Sequence, residues 1–546
     1  MSSVRLEPIT IDTSVGSGAV TRWTTRSRTR HIGIAVLQCL GLVLLISCAP
    51  AEARTGAGVW VVDSLTRVGA TQDVGSGTTA RITAAGGEYE SFQVVVGAGR
   101  SDVTGVGLVV SDLRGPDGAV VPASNVTRYR EHYVTVSHRS PDRGGSNRPS
   151  PAGEFADALI PFVDPVSGEP LNGPLRASGV DVVAGRNQPY WIDVLVPRTA
   201  PAGLYTGTYQ VSTDQSTTRG RIELTVLGFA LPDRPTLYSS FLNWSGREAV
   251  DRELLRHRLM PGSVSPSAAR SSGITAELNA VNVGIYSGAD RDTCTMDAPP
   301  EAQTVAAAAT GLPGPDLLVY NYTADEIDGC DGLTDRIKAW ARQLHASDVQ
   351  QLITMTPRRD LFSDGAGGAG VDIWVVLPQM YDRDPAAVAA AIDSGMQVWS
   401  YNALAQDDYS PKWLIDFDPI NFRIVPGFIN RALGLTGSLY WRVDGWTGEP
   451  WEDVHTYLGG YPGDGMLVYP GEEVGLPGGA APSIRLKWLR DGVDDYEYAV
   501  QAAENGDTRR VEQIIETVAR GWDDWTRDTA VLAEARRDLG ALASGG

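Results

Sequence analysis

The chain has 546 residues, 46 Lys plus Arg against 66 Asp plus Glu, and a formal net charge of -20 at pH 7. That length exceeds one ordinary hydrophobic core and suits two or three domains. The acidity leaves no bulk basic surface to neutralise phosphates, which excludes a nucleic-acid binder and a purely electrostatic grip on anionic lipid.

Arg22, Arg26, Arg28 and Arg30 precede an apolar run, Ile32 to Ile46, which together read as the basic and apolar parts of an export leader. The run is shorter than the roughly 20 residues of a spanning helix. Leu45-Ile46-Ser47-Cys48 follows it and resembles the lipobox of bacterial lipoproteins, with Cys48 as the lipidation candidate. Cleavage after Ala51-Glu52-Ala53 and an uncleaved anchor are the alternatives. Residues 1–54 are therefore assigned to leader and linker, and the expected location is extracellular, either lipid-anchored or freely secreted. Only Cys294 and Cys330 lie beyond the leader. Outside the cytoplasm such a pair is either bonded or two free thiols, and a bond would tie together the loops on either side of one element.

Residues 55–230 read as an N-terminal β-sandwich. Short apolar or alternating runs recur at Arg81–Ala84, Glu90–Val96, Val106–Val110, Asn125–Val136, Tyr190–Val196, Tyr205–Ser212 and Arg221–Val226, with Gly- and Pro-rich turns between them. The polar stretch Ser137–Ala152 reads as a long loop facing the second domain.

After the stiff connector Leu231-Pro232-Asp233-Arg234-Pro235 the pattern changes. Residues 231–482 carry eight strand candidates: Leu237–Leu242, Gly262–Ser265, Asn282–Tyr286, Leu317–Tyr320, Gln351–Thr356, Val371–Val376, Met396–Tyr401 and Gly437–Trp441. Helical stretches at Arg247–Leu259, Asp331–Leu344, Pro385–Ser394 and Ile420–Leu433 alternate with them, which predicts a (β/α)8 barrel of the TIM type. The second and third candidates are weak. Residues 483–546 read as C-terminal helices packed on the barrel.

The fourth strand candidate runs through Tyr322 into Asp325-Glu326. The C-terminal rim of barrel strands is where loops converge on one cleft. A carboxyl pair there suits glycoside cleavage, which needs a proton for the departing oxygen and negative charge near a cationic sugar centre. Neighbours in a flat strand point to opposite faces, so both can act only if the backbone has turned. Their Cα atoms are about 3.8 Å apart, too close to leave a water between them. The fitting division of labour makes Glu326 the acid and Asp325 the group that orients a nucleophile belonging to the substrate, such as a 2-acetamido oxygen.

Further sugar-contact candidates are Tyr401 and Asn402 after the seventh strand, Trp441, Asp444 and Trp446 after the eighth, and Tyr322 and Trp374. Trp441 could equally be core, with Asp444 paired to Arg442. His257 reads as structural. The acidic run Asp491, Asp494, Asp495 and Glu497 reads as solvated surface or as partners of Arg485 and Arg490. Six widely spaced His form no zinc pattern, and no nucleotide or nucleophile-elbow motif is present, so neither metal nor organic cofactor is implied.

Several stretches together resemble glycoside hydrolase family 123 and its relatives with the domain of unknown function 4091. They are G-G-E-Y-E-S-F-Q (Gly86 to Gln93), Y-W-I-D-V-L-V-P-R-T-A-P-A-G-L-Y-T-G (Tyr190 to Gly207), G-S-L-Y-W-R-V-D-G-W (Gly437 to Trp446), D-G-M-L-V-Y-P-G (Asp464 to Gly471) and P-S-I-R-L-K-W-L-R-D-G-V-D-D-Y-E-Y (Pro482 to Tyr498). The resemblance implies a sandwich followed by a barrel, and a retaining exo-β-N-acetylgalactosaminidase that uses neighbouring-group participation. Asp325 would polarise the acetamido group and Glu326 would be the acid/base. Ile327 and Asp328 follow the pair where the family pattern has Pro. A glycosidase for a non-acetamido sugar and an inactive surface protein that binds carbohydrate are the alternatives. The expected partner is a glycan or glycoconjugate, with membrane attachment only through Cys48. Oligomeric state is not implied.

Overall fold

The computed structural model describes residues 56–312, 317–506 and 508–545. The leader and the lipidation candidate Cys48 lie outside the described residues. Among those described, no helix is long and apolar enough to cross a membrane.

Residues 58–230 form two facing sheets. One runs in the order Gly58–Asp63, Tyr89–Gly97, Asn187–Leu195, Val126–Val136, Gly153–Pro161, antiparallel throughout. The other is built on Thr79–Gly86, Thr217–Ala230, Gly203–Ser212, Val103–Val110 and Val180–Val182. Alternation decides which side chains enter the core. In Arg221–Val226 the residues Ile222, Leu224 and Val226 are buried, while Arg221 and Thr225 are exposed. They meet Phe92, Val94, Tyr190, Ile192 and Val194 of the facing sheet. Each such aliphatic or aromatic side chain contributes about 1.5–3 kcal/mol when fully buried. The strand Asn187–Leu195 is buried on both faces, because its outer face carries Trp191 and Asp193 against the helix Ile484–Glu504.

The second domain is a parallel sheet of seven strands: Tyr238–Phe241, Ala280–Asn282, Leu318–Ala324, Gln350–Thr354, Ile373–Val376, Gln397–Tyr401 and Gly437–Tyr440. The last pairs with the first, so the sheet curls into a nearly closed barrel. The expected (β/α)8 count is corrected here. The second strand position is reduced to Met260–Gly262, where Pro261 makes one bridge to Phe241. The Phe241 N–H donates to Met260 (2.9 Å) and the Gly262 N–H to Phe241 (2.8 Å). Pro261 has no N–H to extend the ladder. Between Gln350–Thr354 and Ile373–Val376 only a 3-10 turn, Arg359–Leu361, replaces a helix.

The helix Ile484–Glu504 is capped by Ser483, whose Oγ accepts from the Leu486 N–H. It packs between the helical segment 420–432 and the sandwich. The expectation that Asp491, Asp494, Asp495 and Glu497 are solvated is wrong: all four are buried. Asp495 meets Arg423 at 2.7 Å, Asp494 meets Arg258 at 2.9 Å, and Glu497 accepts from the Thr236 N–H at 2.6 Å. Only Asp491 bonds Arg490 (2.9 Å), while Arg485 belongs to Asp157 (2.7 Å). On the sandwich side Asp193 takes Lys487 (2.8 Å) and Arg490 (3.2 Å). Arg536 joins Glu88, Glu90 and Asp495. The loop after Val126–Val136 lies on the barrel: Ser140 Oγ donates to Asp416 (2.7 Å), Asn147 to Asn421 (2.7 Å) and Arg143 to the Ala405 carbonyl (2.7 Å).

Candidate active site

The barrel mouth is set by the strand Leu318–Ala324. Its Tyr320, Asn321, Thr323 and Ala324 are buried. Asn321 fixes the neighbouring loop by exchanging bonds with the Ile285 N–H (2.9 Å) and carbonyl (2.8 Å). Immediately after the strand the chain turns. Glu326 has φ +48°, a left-handed conformation rare for a non-glycine residue. That turn breaks the alternation of a strand, which would send Asp325 and Glu326 to opposite faces. Backbone strain of this kind is a feature of functional sites.

Asp325 Oδ1 accepts from the Tyr322 hydroxyl at 2.7 Å, and that hydroxyl lies 2.9 Å from Thr354 Oγ1. Burial raises the Asp325 carboxyl above its ordinary range, against the pull of the Tyr322 and Thr354 hydroxyls and the Arg291 charge. Glu326 is paired with Arg291. Burial and then the neighbouring Asp325 charge raise the Glu326 carboxyl, and Arg291 opposes both. Tyr401, only 4% exposed at the end of its strand, sits in the field of Asp325, Glu326 and Asp464, which add to burial in raising its hydroxyl.

Aromatic rings form one wall. Trp441 lies edge-on to Trp244 and Tyr457, with centroids 5.8 Å away in each case. Tyr457 in turn is within electrostatic range of Arg291 and Glu326. The Trp441 Nε1–H donates to Asp464 at 3.1 Å, and burial pushes that carboxyl up to about 6. Gly465 is required here: a Cβ on it would stand 2.4 Å from Trp441 Cζ2, at φ +67°. Tyr286 is half exposed, and burial with the Asp325 charge raises its hydroxyl to about 12.

Cys294 and Cys330 are joined by a disulfide. It ties the loop bearing Arg291 to the loop that follows Glu326.

The structure thus brings Asp325, Glu326, Tyr322, Tyr401 and Trp441 together. Others among the expected contacts do other work. Trp374 is fully buried, donates to Met396 Sδ (3.3 Å) and is core. Asp444 accepts from the backbone N–H groups of Trp244 and Ser245 and from Arg442 (3.2 Å), so its carboxylate anchors a rim loop. Trp446 donates to the Val468 carbonyl (2.8 Å) and stacks under Arg247. Asn402 is buried with its amide on the Pro411 carbonyl (2.9 Å). His257 is buried, and its Nδ1–H donates to the Glu253 carbonyl of its own helix at 2.7 Å. Arg291, Asp464, Tyr457, Tyr286, Thr354 and Trp244 were not singled out as site residues from sequence. Asp464 alone carried a signal, as the first residue of D-G-M-L-V-Y-P-G.

A sandwich leading into a nearly closed barrel, with carboxyls and aromatic rings at the C-terminal rim, defines a carbohydrate-active enzyme of the barrel class. Two family models agree. The glycoside hydrolase 123 N-terminal domain matches residues 69–213, and the glycoside hydrolase 123 catalytic domain matches residues 350–501. The chain belongs to glycoside hydrolase family 123. Asp325 and Glu326 fall between the two matched segments. Among solved structures, a family 123 glycoside hydrolase from Clostridium perfringens, studied for glycolipid glycan hydrolysis, is similar at a TM-score of 0.63 and 15% identity, covering 90% of this chain and 98% of that one. A family 10 xylanase with a bacterial Ig-like domain from termite gut reaches only 0.26 at 8% identity, covering 57% and 90%. A β-glucuronidase of Parabacteroides merdae reaches 0.21 at 8%, covering 65% and 45%. No curated protein matches the chain.

Proposed function

We propose that this family 123 hydrolase is a retaining exo-glycosidase. It removes a terminal β-linked N-acetylhexosamine, N-acetylgalactosamine foremost, with the substrate's own 2-acetamido group as nucleophile. Glu326 gives its proton to the glycosidic oxygen as the C1–O bond breaks. The acetamido carbonyl oxygen closes on C1, and Asp325 accepts from the acetamido N–H and balances the positive charge of the cyclic intermediate. Water then attacks C1, its proton goes to Glu326, and the acetamido group reopens with the configuration at C1 retained.

The observation that carries this assignment is the turn at Glu326. It places two consecutive carboxyls at one mouth, with Asp325 fixed by Tyr322 and Tyr401 facing both. Trp441 offers a ring face for the sugar. A panel of nitrophenyl glycosides tests it. Cleavage of N-acetyl-β-galactosaminide and inhibition by a thiazoline that mimics the cyclic intermediate are expected. Turnover of galactosides or arabinosides without action on acetamido sugars would overturn it.

The leader motif and the disulfide also support export to an oxidising compartment, with Cys48 lipidated. Release of the Cys48→Ser chain into the medium is the expected result. Equal membrane retention of both chains would rule out a lipid anchor at Cys48.

A further inference from the structure

Glu326 is faced by Asp325 and Asp328 from its own loop, by Tyr401 from the strand Gln397–Tyr401, by Tyr457 from the turn Tyr457–Gly459, and by Arg291. Arg291 is the cation in that set, and the backbone holds it in place. It stands three residues before Cys294, whose φ is +51°, and Cys294 is bonded to Cys330, four residues beyond Glu326. The same loop is also stitched to the barrel where the Ser287 N–H donates to the Thr323 carbonyl at 3.1 Å.

We propose that Arg291, held on a disulfide-tied loop, is the positioning residue that sets the orientation and the charge state of Glu326. The proposal rests on the acid/base role given to Glu326 above. In the first half-reaction Glu326 loses its proton to the leaving oxygen, and Arg291 stabilises the carboxylate that remains. In the second, that carboxylate takes the proton of the attacking water, and Arg291 keeps it ionised and aimed until then. Burial and the charge of Asp325 act in the opposite direction. Without the guanidinium, Glu326 keeps its proton to higher pH and becomes a weaker acid toward the leaving oxygen.

The experiment compares the full chain with Arg291→Met, Arg291→Lys and the double Cys294→Ser, Cys330→Ser variant. It follows kcat and kcat/KM against pH on an N-acetyl-β-galactosaminide with a poor leaving group. Removing a close opposite charge moves a carboxyl by about 1 unit or more. Arg291→Met is therefore expected to carry the alkaline limb upward by about that much, and to lower kcat about tenfold at neutral pH with little change in KM. Arg291→Lys keeps the charge and should bring the limb back. The cysteine variant should move it the same way by less. An unmoved limb and unchanged kcat in Arg291→Met would overturn the proposal, as would Arg291→Lys displaced as far as Arg291→Met, since that marks a merely structural effect. Glu326→Gln, run alongside, separates the two levels. If it keeps full turnover, both the acid/base assignment and the proposal fall. If it loses turnover while Arg291→Met does not, only the role of Arg291 falls.

Discussion

Two groups of buried carboxylates, one at the junction of sandwich and barrel and one at the barrel mouth, are handled in opposite ways. At the junction Asp193 meets both Lys487 and Arg490, Asp495 meets Arg423 and Arg536, and Asp157 meets Arg485. At the mouth Asp325, Glu326 and Asp464 stand near one another, and among the described residues Arg291, on Glu326, is the only cation paired with any of them. A buried carboxylate matched by cations holds elements together. A surplus of carboxyls at a barrel rim, lifted by burial, is what a cationic transition state and a proton donor need. Counting acidic residues does not separate the two groups; counting the cations beside them does.

Breaking each side of that contrast should give different losses. The largest is expected from Glu326→Gln: turnover of substrates with poor leaving groups falls roughly 10²–10⁴-fold, an activated aryl leaving group masks part of the loss, and the unfolding midpoint stays put. At the junction, Asp193→Ala leaves Lys487 buried without its carboxylate and Arg490 with Asp491 alone. Breaking such a pair costs about 3–5 kcal/mol, to be read by denaturant unfolding, with activity per folded molecule retained. Asp325→Asn should lower turnover of acetamido substrates by about 10²–10³, the usual effect of removing one preorganised polar group. Unlike Glu326→Gln, it should do so equally for good and poor leaving groups.

The smallest effect sharpens the comparison, because one junction carboxyl is incompletely matched. Glu90 shares Arg536 with Glu88 and Asp495. Burial pushes it from its ordinary 4.5 up to about 7. A group that binds its proton more tightly when folded adds stability at low pH and loses that contribution as pH rises between those two values. Stability should therefore decline from about pH 5 to 7, and Glu90→Gln should flatten that slope. An unchanged slope would place the titrating group elsewhere.

Much of the fold could be read from periodicity. Every expected sandwich strand coincides with an observed one: alternation survives in Arg221–Val226, while Glu90–Val96 and Tyr190–Val196 are buried on both faces and stand out as apolar runs between turns. Gly58–Asp63 and Gly153–Pro161 were not among the expected strands. Six of the eight barrel positions were plain apolar runs. The second position, expected over Gly262–Ser265, is not a strand, since Pro261 makes only one bridge to Phe241. Asp325 and Glu326 were legible because a clean strand leads to them. Arg291, Tyr457 and Tyr286 were not, since they lie in irregular loops whose place is fixed by a disulfide and by single side-chain bonds rather than by any period. The run Asp491 to Glu497 looked solvated because its cations, Arg258, Arg423 and Arg536, are distant in sequence.

The bond between Asp193 and Arg490 spans 297 residues. A ribosome adding about 5–20 residues per second needs some tens of seconds to bridge that interval. During it, the outer face of the strand Asn187–Leu195 has its acidic group and Trp191 but not the helix that covers them. The emerging sandwich therefore waits, open on one side, for the helix Ile484–Glu504 that covers it.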